Sequence, residues 1–421
     1  MKKSYQTLLI VTLLFAATGL YSQWVIVSSG GTKDLNSITF SSGYGYTAGD
    51  SGIVKRTLDF GLTWGNVPSF STVNLNSAYA ISPAGVFVCG DQGMIYKTTN
   101  SGVNWAAQTS LTNGITYHAI DFINSSTGIV VGDNRRFAIT ANGGTNWITG
   151  QLNVTVGANL HYRAVDMLDS TTTYIASTDT VISGTYYAYV QKTTNNGISF
   201  SNVLTFNAGT ANQFVHIQFI NSNTGWAITN RGYCIKTING GTTWTYNLMN
   251  MLCDNAFFVN ANTGYACGTG GGLKKTTNGG LTWLWQNSPT TSNLSDITCT
   301  DTNTAISAGV DGIVVRTDNG GTYTEINQTS GNIPGSFRLG QNYPNPFNPS
   351  TNITFDIPEG SDVKLTLYNV LGMQVMTLAD QYMKAGNYKV TLNASDLPSG
   401  TYFYRFEAGA YTETRRMILI K

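Results

Sequence analysis

Glutamate is almost missing from the first three quarters of this chain: residues 24–330 hold one, Glu325, against 14 aspartates. Chemistry that needs a glutamate base elsewhere in that stretch is excluded. Charge of either sign is also scarce, at 11% of 421 residues, and it balances locally, with 14 basic and 15 acidic residues over 24–340 and 7 of each over 341–421. No segment builds the one-signed field that nucleic acid or anionic lipid requires. Neither partner is expected. The five cysteines (Cys89, Cys234, Cys253, Cys267 and Cys299) are an odd number without CxxC spacing, which argues against a full disulfide framework and against zinc. They read as core residues, with Cys89 and Cys267 preceding a glycine where other repeats carry Ala48 or Ala308, in a small buried slot. No apolar run reaches the 18 residues of a membrane span. A shorter one, 7–20, follows Lys2 and Lys3 and leads into small residues around Ser22. That is the layout of a secretory signal over 1–22, so the mature chain is expected to begin near Gln23, to be exported and to stay out of the membrane.

What the sequence does have is glycine, 46 residues of it, and 12% aromatics, a profile of short strands joined by tight turns. It also repeats itself. An eight-residue pattern, Thr, then Asp or Asn two later, Gly two after that and an aromatic three further on, occurs six times. The copies are TLDFGLTW from Thr57, TTNSGVNW from Thr98, TANGGTNW from Thr140, TTNNGISF from Thr193, TINGGTTW from Thr237 and TTNGGLTW from Thr276. A seventh, TDNGGTYT from Thr317, has Thr324 in place of the aromatic. The chemistry is that of a turn: the Asx side chain (Asp59, Asn100, Asn142, Asn195, Asn239, Asn278, Asn319) is expected to bond the backbone two residues on. The glycine (Gly61, Gly102, Gly144, Gly197, Gly241, Gly280, Gly321) takes positive φ without steric cost. The aromatic (Trp64, Trp105, Trp147, Phe200, Trp244, Trp283) then opens the next strand and fills the gap against a neighbouring repeat.

Copies start 41, 42, 53, 44, 39 and 41 residues apart, close to the period of a four-stranded propeller blade. The first repeat reads inner strand LNSITF (35–40), second strand YGYTAGD (44–50), third strand IVKRT (53–57), then an outer strand from Trp64. Seven copies predict an all-β, seven-bladed β-propeller over 23–328. Two segments compete to close the ring, 24–27 near the start and 323–326 near the end. After a polar linker at 329–340, further alternating segments such as ITFDI, VKLTLYNV, YKVTL and TYFYRF predict six or seven short strands and a small immunoglobulin-like sandwich over 341–421.

The turn repeat resembles the Asp-box, or BNR, repeat, and TGYACGTGGGLKKTTNGGLTW (263–283) is similar to the propellers of photosystem II assembly and stability factors. In such families the boxes are structural turns away from the ligand, so the resemblance implies fold rather than chemistry. The C-terminal segment resembles the sorting domain of type IX secretion cargo, itself similar to hook-capping proteins. The marks are YPNPFNPST (343–351), LYNVLGMQV (367–375), LPSGTYFYRF (397–406) and RRMILIK (415–421). That resemblance implies export past the outer membrane and a partner in the secretion machinery.

Sialidase chemistry, which in the Asp-box families pairs a tyrosine with a glutamate and gathers three arginines beside an FRIP motif, is not expected: FRLG at 337–340 does not match. Hydrolysis of glycosides by two aspartates stays open, since 14 are present. Most have duller roles. Asp50, Asp91, Asp133 and Asp311 fall in hairpins, and Asp121 and Asp166 in inner strands. His118, His161 and His216 fall at or near the starts of three successive inner strands, His161 reading as loop, and line the channel mouth rather than bind metal. No cofactor is expected. The second inner-strand position runs Asn36, Asn76, His118, Arg163, Val215, Asp254 and Ser295, a mostly polar rim. Together with Arg135, Arg136 and Arg231 in neighbouring hairpins and Tyr186 and Tyr187 in the longer fourth repeat, that rim is the candidate ligand face. The expectation is a monomeric, non-catalytic propeller that binds protein or glycan outside the cell, with an Asp-based glycoside hydrolase or an assembly factor for a membrane complex as alternatives.

Overall fold

The computed structural model describes residues 24–28, 31–108, 114–151, 160–178, 187–207, 212–286, 288–318, 320, 325–330, 333–372, 374–394 and 397–420. The expected signal segment, Tyr186, Asn319 and Gly321 lie outside the described residues. The chain forms two compact bodies that divide between Thr322 and Tyr323.

The first body is a ring of seven four-stranded antiparallel sheets. Blade 1 comprises Leu35–Ser41, Tyr44–Gly49, Val54–Thr57 and Gly65–Asn66. The inner strands of blades 2 to 7 are Leu75–Ala80, Tyr117–Phe122, His161–Met167, Phe214–Phe219, Cys253–Phe258 and Leu294–Cys299. Second strands such as Val86–Gly90 and Gly128–Gly132 are buried at every residue, because each lies between two neighbouring sheets and has no solvent face. This explains their unbroken apolar sequence. Hydrophobic clusters span the junctions: Phe87 and Cys89 of blade 2 join Tyr117, Ile120 and Phe122 of blade 3. All five cysteines are free, four of them buried.

Of the two closing candidates, the first closes the ring. Val25–Ser28 pairs antiparallel with Val314–Thr317, Val25 opposite Arg316 and Ile26 opposite Val315. The other segment belongs to the second body, where Glu325–Ser330 pairs with Gly386–Asn393. The division therefore falls six residues before the boundary read from the sequence. Part of the expected linker, Arg338–Leu339, is a strand.

The repeated turns have a different hub from the one expected. In the first copy Thr57 Oγ1 accepts the Gly61 N–H at 3.0 Å and the Asp59 N–H at 3.3 Å, while Asp59 Oδ1 accepts from Thr63, four residues on, at 2.9 Å. The same set recurs from Thr276: Gly280 N–H at 2.9 Å, Asn278 N–H at 3.4 Å, and Thr282 N–H onto Asn278 Oδ1 at 2.9 Å. The threonine hydroxyl holds the tight part of the loop and the Asx oxygen its exit. The threonines are buried while the Asx residues stay accessible. The aromatic stands just before the outer strand and faces the preceding blade, as Trp244 Nε1–H donating to Val203 O at 3.1 Å shows.

Most turns also receive a cation from the blade before them. Lys97 Nζ donates to Gly143 O at 2.7 Å, Lys275 Nζ to Gly320 O at 2.9 Å, and Arg316 Nε to Phe60 O at 3.0 Å, while Arg56 reaches Ser101 O. Blade 3 carries Ile139 at this place. Its side chain lies against Gly197 of blade 4, so this polar tie is missing from the junction of blades 3 and 4.

The second body has two four-stranded sheets. Ile353, Phe355 and Ile357 of one and Tyr404, Phe406 and Met417 of the other form one core. In the YPNPFNPST segment Phe347 is buried, its N–H donating to Ile418 O at 3.0 Å and its carbonyl accepting from Ile420. Asn342 donates to Pro344 O and Thr351 Oγ1.

Candidate functional site

In every blade the second inner-strand residue is skipped by the register with its neighbour strand: the shifts fall at Asn36, Asn76, His118, Arg163, Val215, Asp254 and Ser295. A bulge frees a residue from the ladder and re-aims its side chain. Here it aims side chains at the end of the ring where inner strands begin and second-to-third-strand hairpins turn. The Asp-box turns occupy the opposite end.

Blades 1 and 2 satisfy their bulge residues within the fold. Asn36 donates to Asp50 in its own hairpin at 3.0 Å and to Leu75 O at 3.1 Å. Asn76 repeats this with Asp91 at 3.3 Å and Tyr117 O at 2.9 Å. Blade 3 departs from the pattern. Asp133 Oδ1 is shared by His118 Nε2 at 2.7 Å and His161 Nδ1 at 2.6 Å, the second ring coming from blade 4. Arg163 of blade 4 lies over the His118 ring, its guanidinium nitrogen 3.3–3.4 Å from both ring nitrogens. Burial, reinforced by Arg163, pushes the His118 pKa down despite Asp133. Burial opposes ionisation of Asp133, but the hydrogen bonds from His161 and His118 outweigh it and hold its carboxyl below the usual range. The cluster therefore holds one carboxylate with both lone-pair directions of Oδ1 engaged, beside the guanidinium of Arg163.

His118 and Arg163 are thus brought together, and Arg135 stands two residues after Asp133 in the same hairpin. Arg136 begins the third strand of blade 3, and Tyr187 begins that of blade 4, its ring stacked 6.3 Å from Tyr189. Arg231 and Asp254 lie at the same end of blades 5 and 6, outside the cluster. Two members escaped the expected ligand face. His161 is the first residue of its strand rather than loop, held by Asp133. Asp133 itself looked like one more hairpin aspartate. A signal existed: wherever the hairpin carries Gly-Asp, the bulge residue of the same blade is polar enough to use it.

The channel aspartates have structural work. Inner strands leave one edge of backbone N–H groups facing the preceding blade, which supplies the acceptors. Ser37 Oγ accepts from Ala78 at 3.1 Å, Thr39 Oγ1 from Ala80 at 3.1 Å, and Asp296 Oδ2 from Ile38 at 2.8 Å. Asp121 Oδ2 accepts from Met167 at 2.6 Å, Asp166 Oδ2 from Phe219 at 2.9 Å, and Gln218 Oε1 from Phe258 at 2.8 Å. Burial pushes Asp121 up to about 7 and Asp296 likewise to about 7. Asp166 is raised by burial and then by the charge of Asp121. Both oxygens of Asp121 are occupied, Oδ1 accepting from Phe122 at 2.8 Å. These carboxyls form a belt that seals the ring, which weakens the case for a hydrolytic pair. Among the described residues no group of three or more histidine, cysteine or acidic side chains is placed to hold a metal ion.

Set against known proteins, residues 341–421 match the secretion system C-terminal sorting domain family. No curated protein matches the chain in sequence. Among solved structures, YCF48 from Cyanidioschyzon merolae is similar at 16% identity and a TM-score of 0.53, over 70% of this chain and 98% of that one. A structure of YCF48 bound to D1 peptide gives 17% and 0.54, over 70% and 97%. PorZ, described as an essential surface component of the type IX secretion system of Porphyromonas gingivalis, gives 14% and 0.54, over 92% of this chain but 59% of that one. This chain thus spans a little over half the length of PorZ. At such identities the likeness is one of fold. A β-propeller shared with YCF48 and PorZ precedes a type IX sorting domain.

Proposed function

We propose that the chain is cargo of a type IX secretion system: a non-catalytic propeller that binds a protein ligand at the cell surface or in the medium. The C-terminal body serves as its address to the secretion machinery, and residues 1–22 direct the first crossing. The observation that carries the binding reading is the convergence of His118, Asp133, His161 and Arg163 from two blades on one end of the ring. The YCF48 structure with a peptide supports a protein rather than a glycan ligand, and PorZ supports the surface as its place of action. The Asp-boxes hold the blades and take no part in binding.

A photo-crosslinking residue at position 187, beside the cluster, is expected to give protease-sensitive adducts when the full chain meets the producing cell's surface. The same residue at exposed position 62, at the Asp-box end, is expected to give none. Equal labelling at both positions, or adducts that resist protease, contradicts the reading.

A further inference from the structure

Arg135 stands where the fold asks for glycine. Its φ is +61°, and the equivalent hairpin residues of blades 1, 2, 6 and 7 are Gly52, Gly93, Gly271 and Gly312, with φ between +70° and +74°. A non-glycine residue in this region carries backbone strain, and such strain persists where surroundings or function maintain it. In other blades the glycine also admits the incoming chain: a Cβ at Gly52 would meet Ser71 O at 2.2 Å, and one at Gly271 would meet Thr290 O at 1.9 Å. In blade 3 Leu160 O accepts the Arg135 N–H at 3.1 Å.

The strain is not repaid by the protein's own polar groups. Arg135 Nε is buried and has no hydrogen-bond partner, and the same holds for Arg163 Nε across the junction. Tyr162, fully buried, has an unpartnered hydroxyl that feels the charge of Arg135. The carboxylate nearest in sequence, Asp133, is committed to His118 and His161. The Nε–H donors of two guanidiniums and one hydroxyl at this junction thus have no hydrogen-bond partner among the described residues. It is also the junction where Ile139 replaces the cation that ties other blades at their opposite end.

We propose that the junction of blades 3 and 4 is a carboxylate site, with Arg135 and Arg163 as the paired clamps and an acidic side chain of a peptide as occupant. The proposal rests on the protein-binding reading above. Guanidinium recognises a planar carboxylate through two parallel N–H bonds. An anion bridging the two arginines joins blade 3 to blade 4, the junction that lacks the cation at its Asp-box end.

The test is fluorescence anisotropy with a labelled hexaglutamate peptide on the full chain, beside Arg135→Gly and Arg163→Met. The wild type is expected to bind hexaglutamate and not hexalysine, and more weakly as salt rises. Each variant is expected to lose about tenfold or more in affinity, the loss of one charge-assisted pair. Arg135→Gly removes the strain as well, so its melting temperature is expected to equal or exceed that of the wild type, whereas a merely structural arginine would lower it. Unchanged affinity in Arg135→Gly, or a lower melting temperature, overturns the proposal, and trigalacturonate binding as tightly as hexaglutamate overturns the peptide assignment. Absence of hexaglutamate binding while crosslinks at 187 persist defeats the carboxylate site alone. Absence of the crosslinks defeats the binding reading itself.

Discussion

Gly90→Ala is expected to unfold the propeller or to lower its stability by about 3 kcal/mol or more. Gly90 closes the second strand of blade 2 in extended backbone, φ −171°, so conformational freedom is not the reason for glycine there. Proximity is. A Cβ built at Gly90 would lie 1.9 Å from Asn74 O, and the same contact recurs in other blades: 1.9 Å from Gly49 to Asp34 O, 2.0 Å from Gly268 to Leu252 O and 2.0 Å from Gly309 to Asn293 O. The opposing atom is backbone, anchored by the Asp91 N–H bond to the same Asn74 carbonyl at 3.0 Å, so it cannot swing away as a side chain would. Relief requires lifting the connecting chain off the hairpin, which disturbs the bulge beside it. Gly65, with nothing within 4 Å of its Cβ position, is the control, and Gly65→Ala is expected to stay within about 0.5 kcal/mol of wild type. Urea titration of the two variants checks the pair, and equal midpoints would contradict the account.

Asp166→Asn is expected to stabilise the protein at pH 8 and to flatten the pH dependence of its melting temperature. Asp121 and Asp166 have folded-state pKa values raised above those of the unfolded chain. The protonated form is favoured in the fold, so their contribution is full below about pH 4 and is lost as pH rises through their raised folded-state values, about 7 for Asp121. His216 acts in the opposite sense, because burial pushes its pKa down to about 4 and its contribution is lost as pH falls from about 6.5. The informative quantity is therefore the difference between wild type and variant. An asparagine at 166 keeps an oxygen for the Phe219 N–H and turns an amide donor toward Asp121. Melting curves at pH 5 and pH 8 are expected to show the variant gaining over wild type only at the higher pH. A constant difference, or a loss at pH 8, would refute the raised carboxyl at 166.

The blade count was readable because each Asp-box is a local device: Thr57, Asp59 and Gly61 bond one another within seven residues, so the pattern survives without knowledge of any partner. Its internal wiring was read less well, since the buried threonine hydroxyl holds the turn where the Asx residue was expected to. Ring closure was not readable. Both terminal segments carry strand-like sequence, and which of them pairs with Val314–Thr317 depends on where the chain ends meet. The bulge rim was aligned correctly, yet the centre of the site was not recognised. Asp133 and His161 are 28 residues apart and belong to different blades, and only the packing of blade 3 against blade 4 brings them to 2.6 Å. Arg135 could have been noticed, because it interrupts a column of glycines in the hairpins. Its meaning needed the φ angle and the orphaned Nε.

The central claim, an exported propeller addressed by its C-terminal body, is tested most directly by fractionation in a host with type IX secretion. The full chain is compared with a version ending at Thr322, the last residue of the first body. Ending there rather than at Gly340 avoids stranding Glu325–Ser330, which pairs within the second body. The account predicts the full chain at the cell surface or in the medium and the truncated one folded in the periplasm. Equal distribution of the two would contradict it.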